Sequence, residues 1–283
     1  LGDICDRLKT EHIVGSERPD FIFHAAAYKH VPILEADAYE AVRNNVLGTK
    51  NMIDLADKYN CEKFVFISTD KAVNPVNILG ISKRIAEMIC ESKDKESATK
   101  YITVRFGNVL GSNGSVVPLF SEQIKSGGPV TLTHKDVTRY FMTIPEASQL
   151  ILQSTAMGEG GEIFVLDMGM PVKISFLAEQ MIRLSGLVPD EDIKIETVGL
   201  RPGEKLYEEL FYEFENEAST NHEKIRLATH PELDTKRLNS LIVELKTAND
   251  NFELEKAKSV MLKIISKEEV AQMSSNNVLP LVK

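Results

Sequence analysis

Thr69, Asp70 and Lys71 follow one another in the chain, and Lys83 comes twelve residues later. A hydroxyl can hydrogen-bond a substrate oxygen, and a carboxylate can give or take a proton. An amine can act as a base once desolvation or nearby positive charge brings its pKa toward neutrality. Together these groups suit proton transfer at an alcohol or beside a carbonyl. Adjacent Asp and Lys are also common on solvated surfaces, so the elements around them must decide.

Lys63 to Ile67 (Lys-Phe-Val-Phe-Ile) is a nearly unbroken apolar run, the pattern of a strand buried on both faces of a parallel sheet. Ligands of open α/β sheets bind beyond the carboxyl ends of such strands, where Thr69-Asp70-Lys71 falls. After Asn74-Pro75-Val76, Asn77 is placed to cap a helix whose core face is Ile78, Ile81, Ile85, Met88 and Ile89. Leu79 and Lys83, at i and i+4, share a different stripe of that helix.

With Ser68-Thr69-Asp70-Lys71-Ala72 and Lys83, the chain resembles the extended short-chain dehydrogenase/reductases. Within them it resembles the nucleotide-sugar 4,6-dehydratases of polysaccharide and glycan synthesis, in particular UDP-N-acetylglucosamine 4,6-dehydratases. The family pattern puts Tyr four residues before the Lys. Here Leu79 stands there, as in a subgroup that includes large, membrane-anchored members. The resemblance runs from Leu1 to about His230.

It implies an α/β fold: a Rossmann-like, doubly wound parallel sheet with a smaller C-terminal substrate-binding subdomain. No Gly-x-Gly-x-x-Gly turn occurs near Leu1, and Leu1-Gly2-Asp3-Ile4 is similar to the end of the family's third strand. The first two βα units, roughly 50–60 residues, are therefore expected to be missing, and NAD to bind poorly to the chain as it stands. The expected cofactor domain is 1–112 with 144–168, the sugar-nucleotide subdomain 113–143 with 169–230, and a helical tail 231–283.

Periodicity predicts helices over Asp6–Arg18, Asp37–Tyr59, Val116–Ile124, Pro145–Met157, Ile174–Leu184 and Leu206–Phe211, and two near Asp234–Thr247 and Asn251–Ile265. It predicts strands over Phe21–Phe23, Lys100–Phe106, Val130–Thr133, Glu162–Leu166 and Ile193–Val198. Gly48 interrupts the second helix, and a close packing contact would explain it.

The resemblance implies Thr69, Asp70, Lys71 and Lys83 as catalytic residues, with Lys71 as base at the sugar's C5 and Asp70 as acid at O6. Thr69 would bond O4 and Lys83 the nicotinamide ribose. Asp3 and Ile4 would meet the adenine side of NAD, and His24, Ala25 and Ala26 its ribose and nicotinamide side; the small residues could equally pack beneath a helix. Asn45 would help hold the active-site lysine. Lys29 and His30 would face the sugar, and Asn108, Arg139 and Arg201 the nucleotide diphosphate. His222 would approach the phosphates from the last strand, or simply sit at a solvated strand end. A 4-epimerase on the same fold and a non-catalytic remnant are the rival readings.

The totals agree with a globular enzyme. The 283 residues are 43% hydrophobic and 27% charged, with a net charge of −9. That charge argues against nucleic acid or anionic membranes as general partners, so an anionic UDP-sugar would need local Arg and Lys. Cys5, Cys61 and Cys90 have neither metal nor disulfide spacing, so no metal is expected. No apolar run reaches the ~18 residues of a membrane helix. A homo-oligomer is expected, in the cytoplasm or as the cytoplasmic domain of a membrane-anchored protein.

Overall fold

The computed structural model describes residues 1–112 and 114–265. Four strands run parallel: β1 (Phe21–His24), β2 (Lys63–Ile67), β3 (Lys100–Arg105) and β4 (Ile163–Leu166). An antiparallel pair, β5 (Asn216–Ser219) and β6 (Ile225–Thr229), completes a six-stranded sheet in the order β1-β2-β3-β4-β6-β5. The register sets Phe64 beside Tyr101 and Val65 beside Ile102, so the central strands bury side chains on both faces, as their apolar runs require.

On one face, helices Thr49–Lys58 and Ile78–Asp94 cover the sheet through Ile53, Ile81 and Ile85. Helices Thr235–Asp250 and Leu254–Ile264 join this core through Leu238, Leu245, Val260 and Met261, so they are packed parts of the body. The other face packs Val104, Phe164 and Leu166 against helix Ile144–Met157, whose start is closed by a capping box between Thr143 and Glu146. A separate core lies beyond the carboxyl ends of the strands. There Phe120, Val130, Ile182 and Ile193 join helices Val116–Lys125 and Ile174–Leu184 to a two-stranded sheet of Val130–Leu132 and Ile195–Thr197.

Three expected elements take another form. Leu1 to Ile4 is not a strand: Asp3 accepts from the Cys5 backbone N–H at 2.8 Å and pairs with Arg43 at 3.0 Å, closing a turn. The helix expected over Asp37–Tyr59 is one turn at Ala38–Glu40, a π-helical stretch at Ala41–Gly48 and an α-helix from Thr49. The wide stretch carries Asn45, and π segments are frequent at functional sites. Gly48 does have its close contact, since a Cβ there would lie 2.8 Å from Ile4 Cδ1.

Leu206–Phe211 is not a helix but an irregular strap, pinned to the 72–74 loop by Glu209 and by the residues at its two ends, Lys205 and Tyr212. Lys205 Nζ donates to Val73 O at 3.0 Å, Asn74 Nδ2 to Glu209 Oε1 at 2.8 Å, and the Tyr212 hydroxyl to Ala72 O at 2.6 Å. No helix among the described residues is long and apolar enough to cross a membrane.

Candidate active site

A cleft of about 550 Å³ opens at the carboxyl ends of β1, β2 and β3, between the main sheet and the smaller core. Thr69, Lys71, Leu79, Lys83, Asn108 and Arg201 are in its wall. β2 ends at Ile67, and a single 3₁₀ turn over Asp70–Ala72 follows, with the Thr69 hydroxyl accepting from Lys71 N at 3.4 Å. The helix carrying Leu79 and Lys83 starts as its sequence requires. Asn77 Oδ1 accepts from Gly80 N at 2.7 Å, and Glu35 Oε1 accepts from Ile78 N at 2.6 Å.

Thr69 donates to Asp70 Oδ1 at 2.9 Å, and Lys71 Nζ donates to the same oxygen at 3.0 Å and to Asn108 Oδ1 at 3.2 Å. Asp70 is wholly buried and is not in the cleft wall. Its second oxygen, Oδ2, has no hydrogen-bond partner among the described residues and lies so near Gly107 that a Cβ there would come within 2.8 Å. Burial draws the Lys71 pKa down, but the Asp70 and Glu208 carboxylates more than offset this and raise it above the ordinary value. A base at the sugar's C5 calls for a lowered value. The two carboxylates outweigh burial, so Lys71 here is an ammonium.

Lys83 behaves the opposite way. Its Nζ donates to Ile67 O at 2.6 Å and sits 4.0 Å from the Phe66 ring centroid, and burial lowers its pKa to about 8. Leu79 presents an apolar wall where the family pattern has Tyr.

Other expected site residues divide into three groups. Ala25, Lys29, His30, Asn108, Arg139 and Arg201 reach the cleft. Lys29 Nζ is 3.4 Å from Ser112 Oγ, and the His30 ring fills the space beside Gly114. Arg139 is already committed: it donates to the Thr138, Leu206 and Lys205 carbonyls at 2.7, 3.3 and 2.9 Å, and its Nε is 3.7 Å from Glu208. It therefore anchors the strap. The exposed Arg201 makes no side-chain hydrogen bond or ion pair among the described residues.

Asn45 stands one layer back. Its side chain accepts from Tyr28 N at 2.8 Å and donates to Tyr28 O at 3.0 Å and to Ser82 Oγ at 3.1 Å, clamping the β1 loop to the helix of Lys83.

The rest lie elsewhere. His24 is a core residue stacked on Phe64 and Phe66, with Nε2 2.9 Å from Thr49 Oγ1; burial lowers its pKa to about 3 and keeps it neutral. Ala26 is exposed outside the cleft wall. Asp3 and Ile4 are held by Arg43 and Asn51, outside the wall as well. His222 is in the turn before β6, where its Nδ1 accepts from Lys224 N at 3.2 Å, and it does not reach the cleft.

Two features had no usable signal in the sequence. One is Glu208, which lies in the segment expected to form a helix over Leu206–Phe211 and is buried beside Lys71. The other is an ion cluster behind Ser68. Ser68 Oγ donates to Glu87 Oε1 at 2.5 Å, Arg105 grips both Glu87 oxygens at 2.8 and 2.7 Å and reaches Glu215 at 2.6 Å, and His230 pairs with Glu215. Burial raises the Glu87 pKa, but Arg105 and Arg84 override it and bring it to about 2.

The cleft thus offers a hydroxyl and an ammonium for one small substrate group, an apolar wall, and a free Arg at the outer end. At the inner end Ala25 and Ala27 leave room at β1, and Lys83 has one hydrogen-bond acceptor among the described residues. These features fit the nicotinamide-riboside half of a dinucleotide.

Residues 1–230 match the model of a family described as polysaccharide biosynthesis protein. The capsular polysaccharide biosynthesis protein CapD of Staphylococcus aureus is 55% identical over 226 residues, 80% of this chain; the chain spans 38% of that relative's length. The X-ray structure of Pen from Bacillus thuringiensis superposes with a TM-score of 0.73 at 32% identity, covering 86% of this chain and 80% of Pen. The UDP-glucose 4-epimerase of Thermus thermophilus, solved in complex with NAD, is similar in fold, with a TM-score of 0.65 at 22% identity over 72% of each chain.

Proposed function

Because this chain belongs to the polysaccharide biosynthesis protein family, we propose that it is a nucleotide-sugar-modifying enzyme, and more finely a 4,6-dehydratase of a UDP-N-acetylhexosamine such as UDP-GlcNAc. The observation that carries the finer reading is Lys71: a cleft-facing ammonium held by Asp70 at a strand end, opposite Leu79. A 4-epimerase needs to remove and return only the C4 hydride. A dehydratase must also move protons at C5 and O6, which calls for a group such as Lys71.

In this reading residues 1–112 and 144–168 form the cofactor side, and 113–143 and 169–230 the sugar-nucleotide side. Ala25, Ala27 and Lys83 would hold the nicotinamide end of NAD. NAD held there would supply hydride transfer, from the sugar's C4 and back to its C6. The chain's own part is proton handling. Thr69 bonds the oxygen at C4, and the 4-keto group so formed acidifies the proton on C5. Lys71 first passes its proton to Asp70 across their hydrogen bond and, as the free amine, removes the C5 proton. Asp70, now a carboxylic acid one hydrogen bond behind, gives that proton to the departing O6 hydroxyl by way of Thr69 Oγ1 or Lys71 Nζ and returns to a carboxylate. Arg201, whose planar fork suits phosphate oxygens, meets the diphosphate. Leu79 has no proton to move, so the C4 hydroxyl proton leaves through Thr69 or bound water.

The test is incubation with NAD and UDP-GlcNAc in deuterated water. The expected product has lost its C6 oxygen as water and carries deuterium at C5. Conversion to UDP-GalNAc with the C6 hydroxyl intact would replace this reading with epimerisation.

A further inference from the structure

Glu208 shares with Asp70 a buried carboxylate whose second oxygen has no hydrogen-bond partner among the described residues, but it comes to Lys71 from a distant part of the chain. It is 8% exposed, its Oε2 has no hydrogen-bond partner, and its Oε1 lies 3.9 Å from Lys71 Nζ. A buried carboxylate with an empty acceptor is costly unless a cation is kept near it. Its position is specifically built. Arg139 binds the Lys205 and Leu206 carbonyls, Lys205 Nζ is tied to Val73 O and to Glu209, and Tyr212 is tied to Ala72. Those ties hold the strap irregular from both sides of Glu208 and press its carboxylate against the turn that bears Lys71.

We propose that Glu208 is a positioning residue for Lys71: from behind the cleft it fixes the amine in place and determines whether that amine carries its proton when substrate arrives. The proposal rests on the dehydratase reading for its consequence in turnover, but not for its physical core. Glu208 is absent from the cleft wall, so it acts on the cleft through the cations it faces, Lys71 at 3.9 Å and Arg139 at 3.7 Å.

Glu204, 3.4 Å from Arg139, and Glu209, 3.1 Å from Lys205, form an outer ring of charge around the Glu208–Lys71 pair. Asp70 faces Lys71 from its own turn, and Asn108 supplies a neutral acceptor. From the strand pair at Thr138–Arg139, the Arg139 guanidinium approaches Glu208 at 3.7 Å and weakens its hold on Lys71. Lys205 acts on Glu208 in the same sense from the strap. Lys83 reaches the cleft from the helix but is bonded to Ile67 O. Burial pushes the Glu208 pKa up, and Asp70 adds to the rise against Lys71 and Arg139. Removing the Glu208 charge leaves Asp70 as the one carboxylate on Lys71, and the amine must then hold its proton less tightly.

The experiment is a titration of the Lys71 side chain by carbon-13 NMR of its ε-methylene, assigned with Lys71→Arg, in the parent protein and in Glu208→Gln. The expected result is a midpoint lowered by about one pH unit in E208Q, the low end of the effect of a charge at this distance. An unchanged midpoint overturns the proposal. Should E208Q fail to fold, Glu208→Asp decides instead: a smaller fall supports the proposal, and no fall overturns it. In turnover, the rise of kcat with pH is expected to begin at lower pH in E208Q, with KM unchanged. A lowered Lys71 midpoint with no sugar-nucleotide turnover at any pH would sink the dehydratase reading and leave the Glu208–Lys71 coupling standing. Turnover with an unmoved midpoint would do the reverse.

Discussion

Lys71 and Lys83 share a cleft yet are set in opposite directions, and the cause is the same low-dielectric interior. Lys71 has two carboxylates, whose attraction exceeds the penalty of burial. Lys83 has a carbonyl and an aromatic ring, and burial wins. The consequence for stability follows from proton uptake. With a folded pKa of about 8 against an ordinary value of 10.5, the unfolded chain binds more protons than the folded one between those values. Lys83 therefore weakens the fold fully below pH 8, and that cost is relieved as pH rises toward 10.5. Chemical denaturation at several pH values should show the parent gaining stability relative to Lys83→Met across this window. Parallel curves for the two proteins would mean that Lys83 is not the group responsible. The same substitution should weaken cofactor binding, the exchange of stability against function common at binding sites.

Among the elements, β2 is the one whose carboxyl end must not move. The buried residue just beyond it, Ser68, is tied to Glu87 on the long helix, and Arg105 on β3 holds Glu87 with both arms. The side chains of Arg105, Glu87 and Glu215 are entirely removed from solvent. Removing one member leaves its partners with fewer counter-charges in a site closed to water, at a cost of up to roughly 3–5 kcal/mol. Glu87→Gln should lower the urea midpoint accordingly and slow turnover by displacing Thr69 and Lys71, without touching substrate. A midpoint within experimental error of the parent would show that the cluster can repack around a neutral amide. Leu at 87 with Met at 105 should recover part of the stability, because removing a buried pair together costs far less than halving it.

At the scale of the whole molecule, the sheet has one well-covered centre and one bare side. β1 pairs only with β2 among the described residues, and Phe21 and Phe23, on the same face, are 44% and 46% exposed. An edge strand with open hydrogen-bonding groups and aromatic side chains invites another chain. Sedimentation velocity over a range of concentrations should therefore show self-association. Phe23→Lys should shift it toward the monomer with little change in melting temperature, since a half-exposed ring contributes little to the core. An identical distribution for both proteins would place any self-contact elsewhere.

The local grammar of the chain was enough for the frame. The apolar run Lys63–Ile67, the cap at Asn77 and the stripe from Ile78 to Ile89 fix a strand, a turn and a helix by short-range rules, and they put Thr69 and Lys71 at a strand's carboxyl end. Helix Ile174–Leu184 and strand Ile163–Leu166 were legible for the same reason: burial leaves a periodic trace. Polar partnerships leave none. His24 sits at a strand end like a ligand-binding residue, yet it fills space between Phe64 and Phe66. Arg139 is spent on main-chain carbonyls, and Leu206–Phe211 has helical residues but no helix, with Lys205, Glu209 and Tyr212 tied instead to the 72–74 loop. Glu208 reaches Lys71 by that same detour. Sequence determined which residues could do proton chemistry and on which elements they stand. Tertiary structure alone decided their charge states, because these depend on which distant carboxylates and guanidinium groups are brought within a few ångströms in a medium that screens them poorly.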